Sequence, residues 1–197
     1  MDRPLFEEPN QDSDQNREKE EVQMDNPKIA QLYRDVPAEL VTRLSRFRAQ
    51  YPYKQTEIGG TEWRYIDTAQ GEATLLALSG AACIAEMSWQ SIEHFAQRYR
   101  VIAPDYPAID TMNELVDGIA AILEQEGVSQ AHVIGGSYGG LVAQVFVRRH
   151  PGHTASLILS HTLLPEREGA EQIAKALRWM RLLPAPLLLN FFQARLG

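Results

Sequence analysis

The stretch His132-Val133-Ile134-Gly135-Gly136-Ser137-Tyr138-Gly139-Gly140-Leu141-Val142 decides how the rest of the chain is read. An apolar run leads into it, and Leu141, Val142, Val145 and Phe146 continue out of it as one face of a helix. Between them, Gly135-x-Ser137-x-Gly139 has the spacing of a sharp strand-to-helix turn that lifts a serine hydroxyl above a sheet edge. Such a turn forces strained backbone angles on the serine. It also brings the residues two before and two after it nearly into contact, so both favour glycine. The serine then lies at a helix N-terminus, where free N–H groups and the helix dipole favour an anionic intermediate. An isolated G-x-S-x-G turns up by chance in about a few per cent of chains of this length, so the strand before it and the helix after it carry the assignment.

Outward from this turn, apolar segments alternate with helical patterns. Residues 54–58, 63–67, 73–78, 100–103, 131–134 and 156–159 read as strands, the later ones apolar throughout, as strands covered on both faces should be. Trp89, Ile92, Phe95 and Ala96 form one helical stripe. Met112, Leu115, Val116, Ile119, Ile122 and Leu123 form a second, closed by Gly127. This rhythm predicts an α/β fold with a mostly parallel sheet, helices on both faces, and its functional edge at the C-terminal ends of the strands. The first two strands, joined by Gly59-Gly60, are expected to form an antiparallel hairpin.

Charge divides the remainder. Of 26 acidic and 19 basic residues in 197, residues 1–26 hold nine acids and three bases, while residues 27–197 are nearly neutral. With Leu5, Phe6 and Val22 as its larger apolar residues, the first segment cannot offset the entropy of ordering and is expected to be a disordered acidic tail. Residues 27–53 read as a helical extension that braces the fold, with Leu40, Val41, Leu44 and Phe47 on one face.

Residues 53–161 resemble the α/β-hydrolase fold superfamily. Beside the Ser137 turn, Leu75-Leu76-Ala77-Leu78-Ser79-Gly80 is similar to the third strand and oxyanion loop of that family. Likewise, Tyr99-Arg100-Val101-Ile102-Ala103-Pro104-Asp105-Tyr106-Pro107 is similar to its fourth strand and the turn that follows. Within the superfamily, the latter segment and the short helix before the turn most resemble the maspardin branch. The resemblance implies that residues 54–161 are a hydrolase core containing the first six strands. It makes Ser137 the nucleophile toward an ester- or amide-type carbonyl of a small molecule, with the backbone N–H groups of Tyr138 and Ala81 as oxyanion donors. Ser79 stands where many members have histidine, which loosens the assignment of Ala81 without removing a backbone donor.

A serine needs a general base, and a carboxylate to orient that base. In this family they follow the serine in the order acid, then histidine. Downstream of Ser137 the acids are Glu166, Glu168 and Glu171, and the histidines are His150, His153 and His161. A helix of about twelve residues carries His150 about 18 Å from Ser137, and His153 enters the next strand from that same far side. His161 emerges on the functional edge, as a pocket-lining residue or, less naturally, a base. Residues 162–197 carry a helical pattern broken by Pro184 and Pro186, where the family begins a cap. The resemblance therefore implies a chain that stops short of the strands delivering acid and base, and that is inactive or impaired by itself. A non-catalytic, maspardin-like binding or scaffold protein, with a protein partner, is the alternative.

A formal charge of −7 argues against a nucleic-acid partner, and no apolar run is long enough to span a membrane. A single cysteine, Cys83, permits neither a disulfide framework nor a thiolate metal site, and a cytoplasmic setting is expected. Neither metal nor nucleotide cofactor is implied: the histidines and acids lack ligand spacing, and the glycine-rich turn lacks the G-x-G-x-x-G register.

Overall fold

In the computed structural model, which describes residues 31 and 33–162, the elements run α1 (Ala38–Gln50), β1 (Tyr53–Ile58), β2 (Thr61–Asp67), β3 (Ala73–Leu78), a 3-10 turn (Ala85–Ser88), α2 (Trp89–Phe95), β4 (Tyr99–Pro104), α3 (Met112–Gln125), β5 (Ala131–Gly136), α4 (Tyr138–Arg149), a second 3-10 turn (Pro151–His153) and β6 (Thr154–Ser160). The six strands make one sheet in the order β1-β2-β4-β3-β5-β6. β4, β3, β5 and β6 are parallel, whereas the β1–β2 hairpin is antiparallel and joins the sheet by pairing β2 antiparallel to β4.

Alternation along the strands divides the core into two layers. Tyr65, Leu76 and Ile102 face one side, where they pack with Leu115, Ile119 and Leu123 of α3 and Val142 and Phe146 of α4. Their neighbours Ile66, Leu75 and Val101 face the other, with Phe47 of α1 and Ile92 of α2. Each fully buried side chain of this kind contributes about 1.5–3 kcal/mol. The helices thus lie on both faces as expected. α3 starts where the Thr111 hydroxyl accepts the Glu114 N–H at 3.2 Å, satisfying one orphan donor of its first turn.

Two differences matter. β3 keeps the expected bounds 73–78, whereas the other five strands extend one or two residues beyond theirs, as where Tyr99, Pro104 and Gly136 pair without being part of an apolar run. Coverage on both faces holds for β3, β4 and β5 but not for β6, where Leu157, Ile158 and Leu159 are 37%, 47% and 40% exposed. β6 pairs only with β5 among the described residues, so it lies at a sheet edge. The acidic segment 1–26 and the segment 163–197, expected to begin a cap, lie outside the described residues. Of the expected extension 27–53, the described part contains α1.

Candidate active site

Ser137 links the last residue of β5 to the first of α4 at φ 52° and ψ −125°, a left-handed conformation that side chains rarely tolerate. Two close approaches enforce it. A Cβ on Gly135 would lie 2.3 Å from the Gly139 carbonyl oxygen, and one on Gly139 would lie 2.3 Å from that of Leu78 and 2.6 Å from that of Ser79. The turn is therefore closed on itself and pressed against the exit of β3. From the other side, the end of β6 holds the Ser137 peptide at both ends. The Ser137 N–H donates to the Ser160 carbonyl at 3.2 Å, and the Thr162 hydroxyl donates to the Ser137 carbonyl at 2.8 Å.

The serine is exposed at the N-terminus of α4, whose first N–H groups have no intrahelical acceptor. Tyr138 supplies the first of these. Its ring is half-buried against Tyr106, with centroids 6.2 Å apart in an edge-to-face arrangement, and burial raises its phenol pKa. Because Leu78 pairs in register with Gly135, the loop after β3 starts beside the turn. That loop reverses over Gly80 to Cys83, closed by Cys83 N–H to the Gly80 carbonyl at 2.9 Å, and Ala81 is an exposed corner residue of it. Three predicted site residues, Ser137, Tyr138 and Ala81, thus sit on adjacent strand exits of one sheet edge. Cys83 lies in the same loop at φ 57°, and burial raises its thiol pKa, which keeps it protonated and unreactive.

The histidines separate as the strand directions require. His150 bonds Asp117 at 2.9 Å and His153 pairs with Glu124 at 3.3 Å, both at the far end of α4. His132 bonds the Ser156 hydroxyl at the entry of β5. His161 emerges at the functional edge, between the two residues that hold Ser137, and its Nδ1 lies 2.9 Å from the Ser160 hydroxyl. Among the described residues no side chain hydrogen-bonds the Ser137 hydroxyl, and Glu166, Glu168 and Glu171 lie outside them. Also among the described residues, no cluster of three His, Cys, Asp or Glu is placed to hold a metal ion, and no helix is long and apolar enough to cross a membrane.

Two residues that composition and spacing left unassigned stand beside the site. Asp105, just past β4, accepts the Ala85 N–H at 2.7 Å and the Tyr53 hydroxyl at 2.9 Å on the same carboxylate oxygen. Tyr106 is nearly enclosed, and its hydroxyl has no hydrogen-bond partner among the described residues. Burial drives its pKa far up; the Ser79 amide opposes this from nearby without reaching hydrogen-bonding geometry. A cleft of about 450 Å³ lined by Ile58, Trp63, Ile109, Asp110 and Glu114 opens over α3 and the hairpin, and Ser137 is not among its lining residues.

Residues 73–188, more than half of the chain, match the family model described as alpha/beta hydrolase fold. The chain is 31% identical over 118 residues to a 2-hydroxy-6-oxononadienedioate/2-hydroxy-6-oxononatrienedioate hydrolase of Paraburkholderia phymatum, covering 51% of this chain and 41% of that protein. It is 31% identical over 106 residues to a 2-hydroxy-6-oxo-6-phenylhexa-2,4-dienoate hydrolase of Burkholderia cepacia, covering 47% and 37%. The chain thus spans well under half the length of either relative. A crystal structure of a hydrolase from Pseudomonas aeruginosa superposes with a TM-score of 0.53 at 25% identity, covering 64% of this chain and 53% of that one.

Proposed function

Given that the chain belongs to the alpha/beta hydrolase fold family, we propose that it carries the nucleophile of a serine hydrolase acting on a small carbonyl compound. Ser137 Oγ attacks the carbonyl carbon, the oxygen that becomes negative is received by the N–H groups of Tyr138 and Ala81, and an acyl-enzyme forms as the leaving group departs. The observation that supports this most is the strained Ser137 backbone, φ 52°, at the N-terminus of α4. Strain of about 1–3 kcal/mol persists only where surrounding structure over-determines it, and such positions cluster at active sites. The names of the two curated relatives extend the substrate class from esters and amides to oxo acids. Of the described histidines, His150 and His153 are paired with acids at the far end of α4, which leaves His161 as the one on the Ser137 edge of the sheet.

A fluorophosphonate probe tests the proposal. Ser137 is expected to be labelled, and Ser137→Ala to abolish labelling with the melting temperature kept. Equal labelling of both proteins, or labelling of neither, would count against it.

A second reading is a maspardin-like binding protein without turnover. It is favoured by the Ser137 hydroxyl having no side-chain partner among the described residues. A stable protein partner recovered with both wild type and Ser137→Ala, with no labelling of either, is the result that would select it.

A further inference from the structure

The loop that must present the Ala81 N–H has one end fixed by strand pairing. Leu78, the last residue of β3, pairs with Gly135, and Ser79 is pressed against Gly139. Its other end, Cys83 to Glu86, has no strand to hold it. Three contacts from β4's exit and its neighbours take that role. The Tyr106 N–H donates to the Cys83 carbonyl at 2.9 Å. One carboxylate oxygen of Asp105 accepts the Ala85 N–H at 2.7 Å and the Tyr53 hydroxyl at 2.9 Å. That Tyr53 hydroxyl in turn accepts the Glu86 N–H at 3.2 Å.

Asp105 is the hub of this arrangement. Its other oxygen lies 3.3 Å from Arg64, whose guanidinium stacks 4.3 Å from the centre of the Tyr53 ring. Burial, together with the adjacent Asp105 carboxylate, pushes Tyr53 up to about 12, so its hydroxyl remains a donor at neutral pH. Charge-assisted bonds to a carboxylate are about twice as strong as neutral ones. The grip therefore falls on the backbone of the segment that follows Ala81, and the side-chain partners of Asp105 are Ala85, Tyr53 and Arg64 rather than Ser137.

We propose that Asp105 is a positioning residue for the oxyanion hole: by fixing Ala85 directly and Glu86 through Tyr53, it holds the loop so that the Ala81 N–H faces the oxygen developing beside Ser137. The proposal rests on the reading of Ser137 and Ala81 given above. Removing the carboxylate frees one end of the loop, and a displacement of about 1 Å at such a donor costs about 10²-fold in rate. Asparagine keeps an oxygen that accepts the same two donors, so Asp105→Asn retains the grip that Asp105→Ala loses.

The test measures fluorophosphonate labelling rates and amide hydrogen exchange on the full chain. Asp105→Ala is expected to label about 10–100-fold more slowly and to exchange faster from Ala81 to Glu86, with β5 and α4 unchanged. Asp105→Asn is expected within about threefold of wild type. Tyr53→Phe, which removes the bridge to Glu86 with less risk to folding, is expected to slow labelling severalfold. Wild-type labelling by Asp105→Ala, equal slowing by Asp105→Asn, or exchange that rises throughout β5 and α4 would overturn the proposal. If the wild type itself does not label, the acyl-transfer reading fails. The exchange comparison, which needs no turnover, then decides the positioning: unchanged exchange at Ala81 to Glu86 overturns it, and a local rise supports it.

Discussion

Ser137 holds a conformation that glycine would adopt freely, so its side chain is kept against a backbone cost. Ser137→Gly is expected to raise the free energy of unfolding by about 1 kcal/mol while ending fluorophosphonate labelling, as read by urea titration beside the labelling assay. Gly139 behaves in the opposite sense. A methyl group there meets the Leu78 and Ser79 carbonyls, which are backbone atoms and cannot swing aside. Gly139→Ala is therefore expected to cost about 2–3 kcal/mol, with the urea midpoint falling accordingly. Tyr106→Phe deletes a hydroxyl that has no hydrogen-bond partner among the described residues, so its melting temperature should equal or exceed that of wild type; a clear fall would mean the hydroxyl is bonded. The serine and its two glycines were legible in the sequence because the turn is local, five residues long and flanked by two clear periodicities. Asp105 was legible only as part of a resemblance. Its partners lie 52 and 20 residues away, and no periodic signal connects them.

Among the elements, the pairing of β1, β2 and β4 encloses an ionic cluster at the sheet edge opposite Ser137. Asp67, whose side chain is 0% exposed, takes hydrogen bonds from Lys54 at 2.7 Å and from both Nε and Nη2 of Arg100 at 2.9 and 2.8 Å. Glu126 joins through Lys54, Arg100 and the Tyr65 hydroxyl. Burial alone pushes the Asp67 carboxyl up. The bonds from Arg100, Lys54 and the Ala69 amide outweigh it and hold the group well below the usual carboxylate range. A depressed folded pKa means stability that is fully present above the unfolded value of about 3.9 and lost as pH falls below it. Asp67→Asn should therefore cost about 3 kcal/mol at pH 7, and the gap from wild type should narrow in thermal melts between pH 4 and pH 2.5. The strands themselves were legible as apolar runs, since burial on both faces leaves little choice of residue. Their spatial order was not: nothing local distinguishes β4 beside β2 from β3 beside β2. For the same reason the bidentate bond from Arg48 of α1 to Glu86, at 2.7 Å through each nitrogen, could not be foreseen when residues 27–53 were read only as a brace.

At the scale of the whole molecule, the sheet among the described residues has one edge formed by the hairpin and one, β6, that carries exposed Leu157, Ile158 and Leu159 with no charge in Thr154–Ser160. Flat, uncharged apolar edges template pairing with another chain. Ile158→Lys is expected to shift the chain toward monomer in size-exclusion chromatography at unchanged melting temperature; an unchanged elution profile with wild type already monomeric would remove the edge as a liability. The same strand has a second consequence. Ser137 is held at both ends of its peptide by Ser160 and Thr162, residues that follow it by 23 and 25 positions. During synthesis, a chain that has completed β5 and α4 but not β6 lacks both of these restraints, and only the close approaches of Gly135 and Gly139 hold its serine turn. The last two hydrogen bonds of the turn are thus made late, when β6 docks beside β5.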